Sequence, residues 1–356
     1  EIGSFAFYDC DKLKTVEMAQ AETIGNGAFS RCFVLEAVEM PLVKKIGDDA
    51  FYCCFDLQMV KSPQVEIIGK SAFDCCSFDT LDIPRVKEIG ESAFGGCRKL
   101  KAIELPEVEL IGESAFSSCE NLEEIKIPKA KTIGKGGFYG CKSLKAIDFP
   151  EVEAIGEEAF CYCENLKMVK IPQVETIGKN AFKRCSTLEK VELSKAKTIG
   201  EGAFVGCVSL KAIELPEVET IEKNAFGECS VLETVELPKA KTIGESAFVG
   251  CESLKAIELP EAESIGQQAF DSLKTLKTAD LPKVKTIGYN AFANSGLYSL
   301  NMPQVETIGA GAFESCLLSA DFSLPEGLKT IGSGAFAYSL QSDMLVIPST
   351  VTYIGG

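Results

Sequence analysis

Sixteen cysteines and fifty-two carboxylates hold nearly all the chemistry this chain could perform, because it has no histidine and no tryptophan. Without histidine there is no Ser-His or Cys-His nucleophile pair and no imidazole metal ligand. Thirteen of the cysteines lie three residues after a phenylalanine, from Cys10 after Phe7 to Cys316 after Phe313. Ligands at one even spacing line up in a row rather than surround a point, which suits no zinc site. Leu273, Ser295 and Ser339 stand in the same column, so a column of small buried residues is the plainer reading. A disulfide ladder is the sharper one, although parallel side chains suit the S–S torsion poorly. Cys53, Cys75 and Cys161 fall outside the column. Cys53 and Cys75 occupy equivalent positions 22 residues apart and are the best candidates for a disulfide.

The carboxylates show a second pattern. One column runs Glu17, Glu39, Lys61, Asp82, Glu104, Lys126, Asp148, Lys170, and then Glu192, Glu214, Glu236, Glu258 and Asp280. The last five are all acidic. Stacked like charges cost stability unless something compensates. Lys211, Lys255 and Lys277 in the adjacent column, with solvent screening, are one compensation. A basic partner surface is another, and a bound cation such as calcium a third. A flat row lacks the converging oxygens of a calcium site, so the sequence favours a protein partner and no metal or cofactor. Paired carboxylates suited to acid–base work sit in no irregular insertion that could form a desolvated pocket. The chain therefore reads as a non-enzyme.

Both patterns follow from one repeat. The phenylalanine recurs 16 times from Phe7 to Phe336, at 22 residues with two steps of 21 and one of 23. All 14 prolines share a column. Before each runs an alternating stretch such as Ile103-Glu104-Leu105, which has the two-residue period of a strand. Proline ends the strand by removing a donor. A glycine (Gly112, Gly134, Gly156) follows the next isoleucine in almost every copy, and predicts a turn with positive φ. Glu222 breaks that column without an evident reason. The stretch Glu113–Cys119 predicts a single α or 3₁₀ turn. A unit this short cannot bury its own apolar face, so copies must stack as coils. The strands then form one long parallel sheet, about 75 Å for 16 coils at about 4.8 Å each. Charges invert between copies: Glu107, Lys129, Glu151, then Lys195, Glu217, Lys239, Glu261, Lys283. Alternation turns repulsion between coils into attraction and penalises a one-coil slip. The true period is often 44.

These residues, written AFxxCxxLxxIxLPxVxxIG, resemble the leucine-rich repeat superfamily, and within it the BspA-like or treponemal-type class. The match covers the whole chain. It implies a β-rich α/β leucine-rich repeat solenoid of about 16 coils, with a concave parallel sheet and short 3₁₀ or α turns on the convex side. The chain reads as one domain, 1–356, with residues from about 314 onward degenerate or cap-like. The resemblance also implies an extracellular or cell-surface protein used for adhesion or protein binding. The partner would be a host, matrix or neighbouring-cell protein, met by the concave acidic column.

A net charge of −16 argues against nucleic acid and anionic membranes. No stretch reaches the roughly 18 to 20 apolar residues of a membrane span. The chain begins and ends inside a coil. That suggests a trimmed segment of a longer array, or ends that meet another body. The competing function is a structural spacer or a solenoid that self-associates head to tail through uncapped ends.

Overall fold

The computed structural model describes every residue from Glu1 to Gly356 except Asp79, and of Thr80 the backbone alone. The chain divides into two compact units, 1–174 and 175–356. Each is a parallel β-solenoid built from the 22-residue coil.

One coil of the first unit shows the logic. Ala102–Glu104 is a strand with an exposed, buried, exposed pattern. Ile103 and Leu105 point inward, as the alternation requires. A turn at Pro106 leads to the two-residue strand Leu110–Ile111. Ile111 stacks in register between Ile89 and Ile133. The chain then turns through Phe116 and Cys119 to Leu122, all fully buried.

The phenylalanines form a file. Phe116 and Phe138 lie 5.3 Å apart with their planes 2° from parallel, and Phe138 and Phe160 lie 5.2 Å apart at 8°. The second unit repeats this from Phe182 to Phe336. The centroid spacing falls within the range of offset aromatic stacks, and each ring fills the space its neighbours leave.

Three expectations are corrected. First, no helix occurs among the described residues. Between Gly112 and Cys119 the chain makes linked turns instead: Ala115 N–H to Gly112 O, Ser117 N–H to Ser114 O, and Cys119 N–H to Phe116 O. The amides between them leave the coil. Ser114, Phe116 and Ser118 donate to Lys135, Gly137 and Tyr139 of the next coil. A helix would keep these donors within its own segment; here stacking takes them.

Second, the glycine column does not supply positive φ. That conformation falls two and six residues later, at Ser114 and Ser118, Glu158 and Tyr162, Asn180 and Arg184. The glycine answers a close approach instead. A Cβ on Gly112 would lie 2.7 Å from the carbonyl carbon of Gly90 and 2.7 Å from Ile89 O. Gly112 N–H donates to Ile89 O at 2.9 Å, so the backbones meet there. Glu222 keeps the bond, donating to Ile199 O at 3.0 Å. Its carboxylate turns back to accept the Glu201 N–H at 2.9 Å.

Third, the Ile-x-Leu strands do not make one long sheet. The continuous ladder belongs to the two-residue strands, Thr23–Ile24 through Ala154–Ile155 in the first unit and Thr176–Ile177 through Tyr353–Ile354 in the second. The flanking glycines let those backbones close up. The three-residue strands have no such glycine, and their ladder is interrupted. In the second unit it joins Ala212–Glu214 to Thr234–Glu236, stops, and resumes from Ala256–Glu258 to Ser299–Asn301. Charge does not decide where it stops: Lys126 faces Asp148 across a break, while Glu214 and Glu236 are paired.

Candidate functional site

The cysteine column is sealed rather than reactive. All 16 cysteines are free thiols, and within the column Cys32 through Cys316 are buried. Thiols of the column donate to the carbonyl of the phenylalanine one coil back: Cys119 Sγ to Phe94 O at 3.1 Å, Cys229 Sγ to Phe204 O at 3.2 Å, Cys316 Sγ to Phe292 O at 3.1 Å. This role was missed in the sequence. Its signal was serine, another short donor, at positions 295 and 339, although there the bonds differ: Ser339 Oγ donates to Phe336 O of its own coil at 2.6 Å, and Ser295 Oγ meets Cys316 Sγ at 3.4 Å. Burial pushes the thiols upward, Cys229 to about 12 and Cys316 to about 11. Cys53 and Cys75, the expected disulfide pair, are half-buried free thiols at positive φ. The Cys75 thiol donates to Asp74 Oδ1 at 3.4 Å. Burial, with the Asp74 charge behind it, raises it to about 12.

The charge ladders form between coils. Lys129 meets Glu107 at 2.7 Å, Lys239 meets Glu217 at 2.7 Å, and Lys283 meets Glu261 at 2.7 Å. Other columns repeat the device, as in Lys87–Glu66, Lys241–Glu219 and Lys223–Glu245. All are exposed, so water and salt screen them and each contributes little to stability.

Against this background the acidic column stands apart. In the first unit six of its eight members pair, Lys61 with Glu39 at 2.8 Å, Lys126 with Glu104 at 3.9 Å and Lys170 with Asp148 at 2.9 Å, while Glu17 and Asp82 form no ion pair among the described residues. In the second unit Glu192 is held by Lys190 of its own strand at 2.6 Å. Asp280 accepts the Asn301 side-chain amide at 2.6 Å. Glu214, Glu236 and Glu258 are exposed and form no ion pair among the described residues. Glu214 lies in register with Glu236, and Glu258 with Asp280.

Two of the three adjacent lysines are engaged elsewhere. Lys255 is taken by Glu233, whose carboxyl it lowers by hydrogen bonding, and the charge of Lys211 lowers the same carboxyl further. Lys277 donates to Lys274 O at 3.0 Å. Shallow clefts open at the ladder breaks beside the column. One of about 500 Å³ touches Glu192 and Glu214, and one of about 430 Å³ touches Glu236 and Glu258. Such clefts can receive side chains from a partner surface, with cationic groups favoured by three carboxylates lacking counter-charge. Among the described residues no group of three or more His, Cys, Asp or Glu side chains could hold a metal ion.

A parallel coil with one leucine-rich strand per turn, stacked leucine on leucine and phenylalanine on phenylalanine, defines a leucine-rich repeat solenoid. The family described as BspA type leucine rich repeat region (6 copies) matches residues 1–83, 66–189, 131–254, 175–298 and 241–356. The chain belongs to this BspA-type leucine-rich repeat family, whose members are often surface-associated. No curated protein matches the chain. Among solved structures, a leucine-rich repeat protein from Bacteroides ovatus is similar over 96% of this chain and 92% of its own, at 24% identity and a TM-score of 0.59. A leucine rich cell surface protein from Faecalibacterium prausnitzii is 26% identical over 81% of this chain and 83% of its own, with a TM-score of 0.47. A leucine-rich repeat protein of T. pallidum is 24% identical over 67% of this chain and 82% of its own, with a TM-score of 0.36. Of these three the first speaks for the fold. No helix of the described residues is long and apolar enough to cross a membrane.

Proposed function

We propose that this chain is a non-catalytic surface or secreted repeat protein that binds another protein through its three-residue strand face. Residues 1–356 act in this reading as one module. Glu192, Glu214, Glu236, Glu258 and Asp280 face a basic patch of the partner. Family membership supports the surface setting. The observation that carries the site is the set of three consecutive carboxylates, Glu214, Glu236 and Glu258, without a cation among the described residues, in a protein whose neighbouring columns carry ion pairs between coils. Leaving those charges open costs stability between coils, and a cationic partner removes that cost on binding.

The test is a binding screen against purified extracellular-matrix and cell-surface proteins, run with the native chain and with Glu214→Lys/Glu236→Lys/Glu258→Lys. A partner of this site loses at least about tenfold in affinity with the variant. Its native affinity also weakens as salt rises. Equal binding by both chains removes the column from consideration.

A further inference from the structure

Where the three-residue ladder of the second unit ends, it leaves an open edge. Ser299–Asn301 pairs with Thr278–Asp280 on one side only. Ser299 N–H reaches back to Lys277 O at 3.0 Å, and Leu281 N–H reaches forward to Asn301 O at 2.8 Å. Strand alternation therefore turns the N–H and C=O of Leu300, and the N–H of Met302, toward the following coil. Within a ladder the equivalent groups are used: Leu105 donates to Lys126 O at 2.9 Å, and Leu259 to Asp280 O at 3.0 Å. At the other breaks Ile83, Ile127, Leu193 and Leu237 also lack a backbone acceptor among the described residues, but there the following coil still carries a strand. Here the following coil withholds its strand. Phe322 N–H folds back to Ser319 O at 3.0 Å. Among the described residues, Met302 N–H has no backbone acceptor.

The space left is a cavity of about 980 Å³, against about 420 to 720 Å³ at the other ladder breaks. Tyr298, Met344 and Val346 line it while 56%, 75% and 69% exposed. Asp321 and Glu326 stand at its rim. Backbone groups set for a strand, unpartnered apolar walls and an acidic rim describe one kind of occupant.

We propose that Leu300–Met302 is a docking edge for an extended peptide of a partner protein, which adds as a parallel strand beside Ser299–Asn301. The peptide sets an apolar residue inward, in register with Leu300, and carries basic residues beside it. Main-chain hydrogen bonds supply the affinity, and the alternate side chains the selectivity. This site adjoins the acidic column at Asp280, which accepts the Asn301 side-chain amide, but its main-chain bonds do not use those carboxylates and it stands without that reading.

The probe is a labelled synthetic peptide copying residues 166–173 of this same chain, LKMVKIPQ. In parallel register its Val169 faces Leu300. Leu300 N–H then donates to Met168 O, Lys170 N–H to Leu300 O, and Met302 N–H to Lys170 O. N-methylation of the Lys170 amide is expected to weaken binding at least about tenfold, since it deletes one of these bonds. N-methylation of the Val169 amide, which faces away, should change it less than about twofold. Leu300→Pro removes a donor that points out of the existing sheet, as an edge strand tolerates, and trims a half-buried side chain; Leu300→Ala, which trims the side chain and keeps the donor, is its control. The proline variant should keep the thermal transition of that control and lose the peptide. Amide exchange at Leu300 and Met302 should slow when peptide is bound. Failure of the peptide to bind at about 1 mM overturns the proposal. So does equal weakening by the two methylations. So does slow exchange of both amides in the free chain, which would mean that the chain's own residues 321–324 already cover the edge.

Discussion

At the scale of single residues, two glycine columns do different work. Gly112 admits the neighbouring backbone, whereas Gly136 adopts φ 57° in a space whose nearest atom to an added Cβ, Ser114 Oγ, is 3.4 Å away. Gly136→Ala should cost about 1 kcal/mol, the penalty of the left-handed region. Gly112→Ala should cost more, about 2 to 3 kcal/mol, because backbone rather than a mobile side chain must give way. Denaturant melts of the two variants test this; equal costs would remove the close-approach account. The thiols make a second residue-scale case. A thiol held near 11 or 12 in the fold stays protonated while its unfolded counterpart ionises above about pH 8.5. Its folded value is raised, so its contribution is present below that pH and lost as pH rises toward the folded value. With reductant present, the denaturant midpoint should fall steeply from about pH 8.5 to 10. Cys229→Ser with Cys316→Ser should make that fall shallower by about two protons' worth of slope.

At the scale of the element, the ion pairs between coils select register more than they stabilise. The Lys239–Glu217 pair is exposed on both sides. A double-mutant cycle on Lys239→Ala and Glu217→Ala should return a coupling of about 0.2 to 1 kcal/mol, shrinking in about 1 M salt. A coupling unchanged by salt would refute a screened surface pair. Elements were the least legible scale in the sequence. The Ile-x-Leu strand announces itself by its period, yet it carries the interrupted ladder. The strand with the continuous ladder is only two residues long, as at Thr220–Ile221, too short for any periodicity. The linked turns at Gly112–Cys119 look helical by length. Their hydrogen bonds run to the next coil, which local propensity does not register.

At the scale of the whole molecule, stacking of near-identical coils makes stability a sum of coil and interface contributions. Parity of charge then has a consequence for deletions. Removing residues 212–233 brings the Lys195 coil onto the Lys239 coil, like against like. Removing residues 212–255 brings Lys195 onto Glu261 and restores the alternation. The 44-residue deletion should therefore keep more stability per remaining coil than the 22-residue one, measured by denaturant midpoint at low salt. The difference should close in about 1 M salt. A 22-residue deletion as stable as the longer one would show that charge parity does not matter to assembly.

Period, coil count, the buried file of phenylalanines and the pairing of Glu107 with Lys129 were all settled by the amino-acid order, because in-register stacking carries each position directly onto its copy. Tertiary structure alone decided three things: which strands close into a ladder, which carboxylates keep a lysine, and where an edge is left open. Those outcomes depend on how near two backbones come and on which of several neighbours a flexible lysine reaches. Spacing along a chain does not encode either distance.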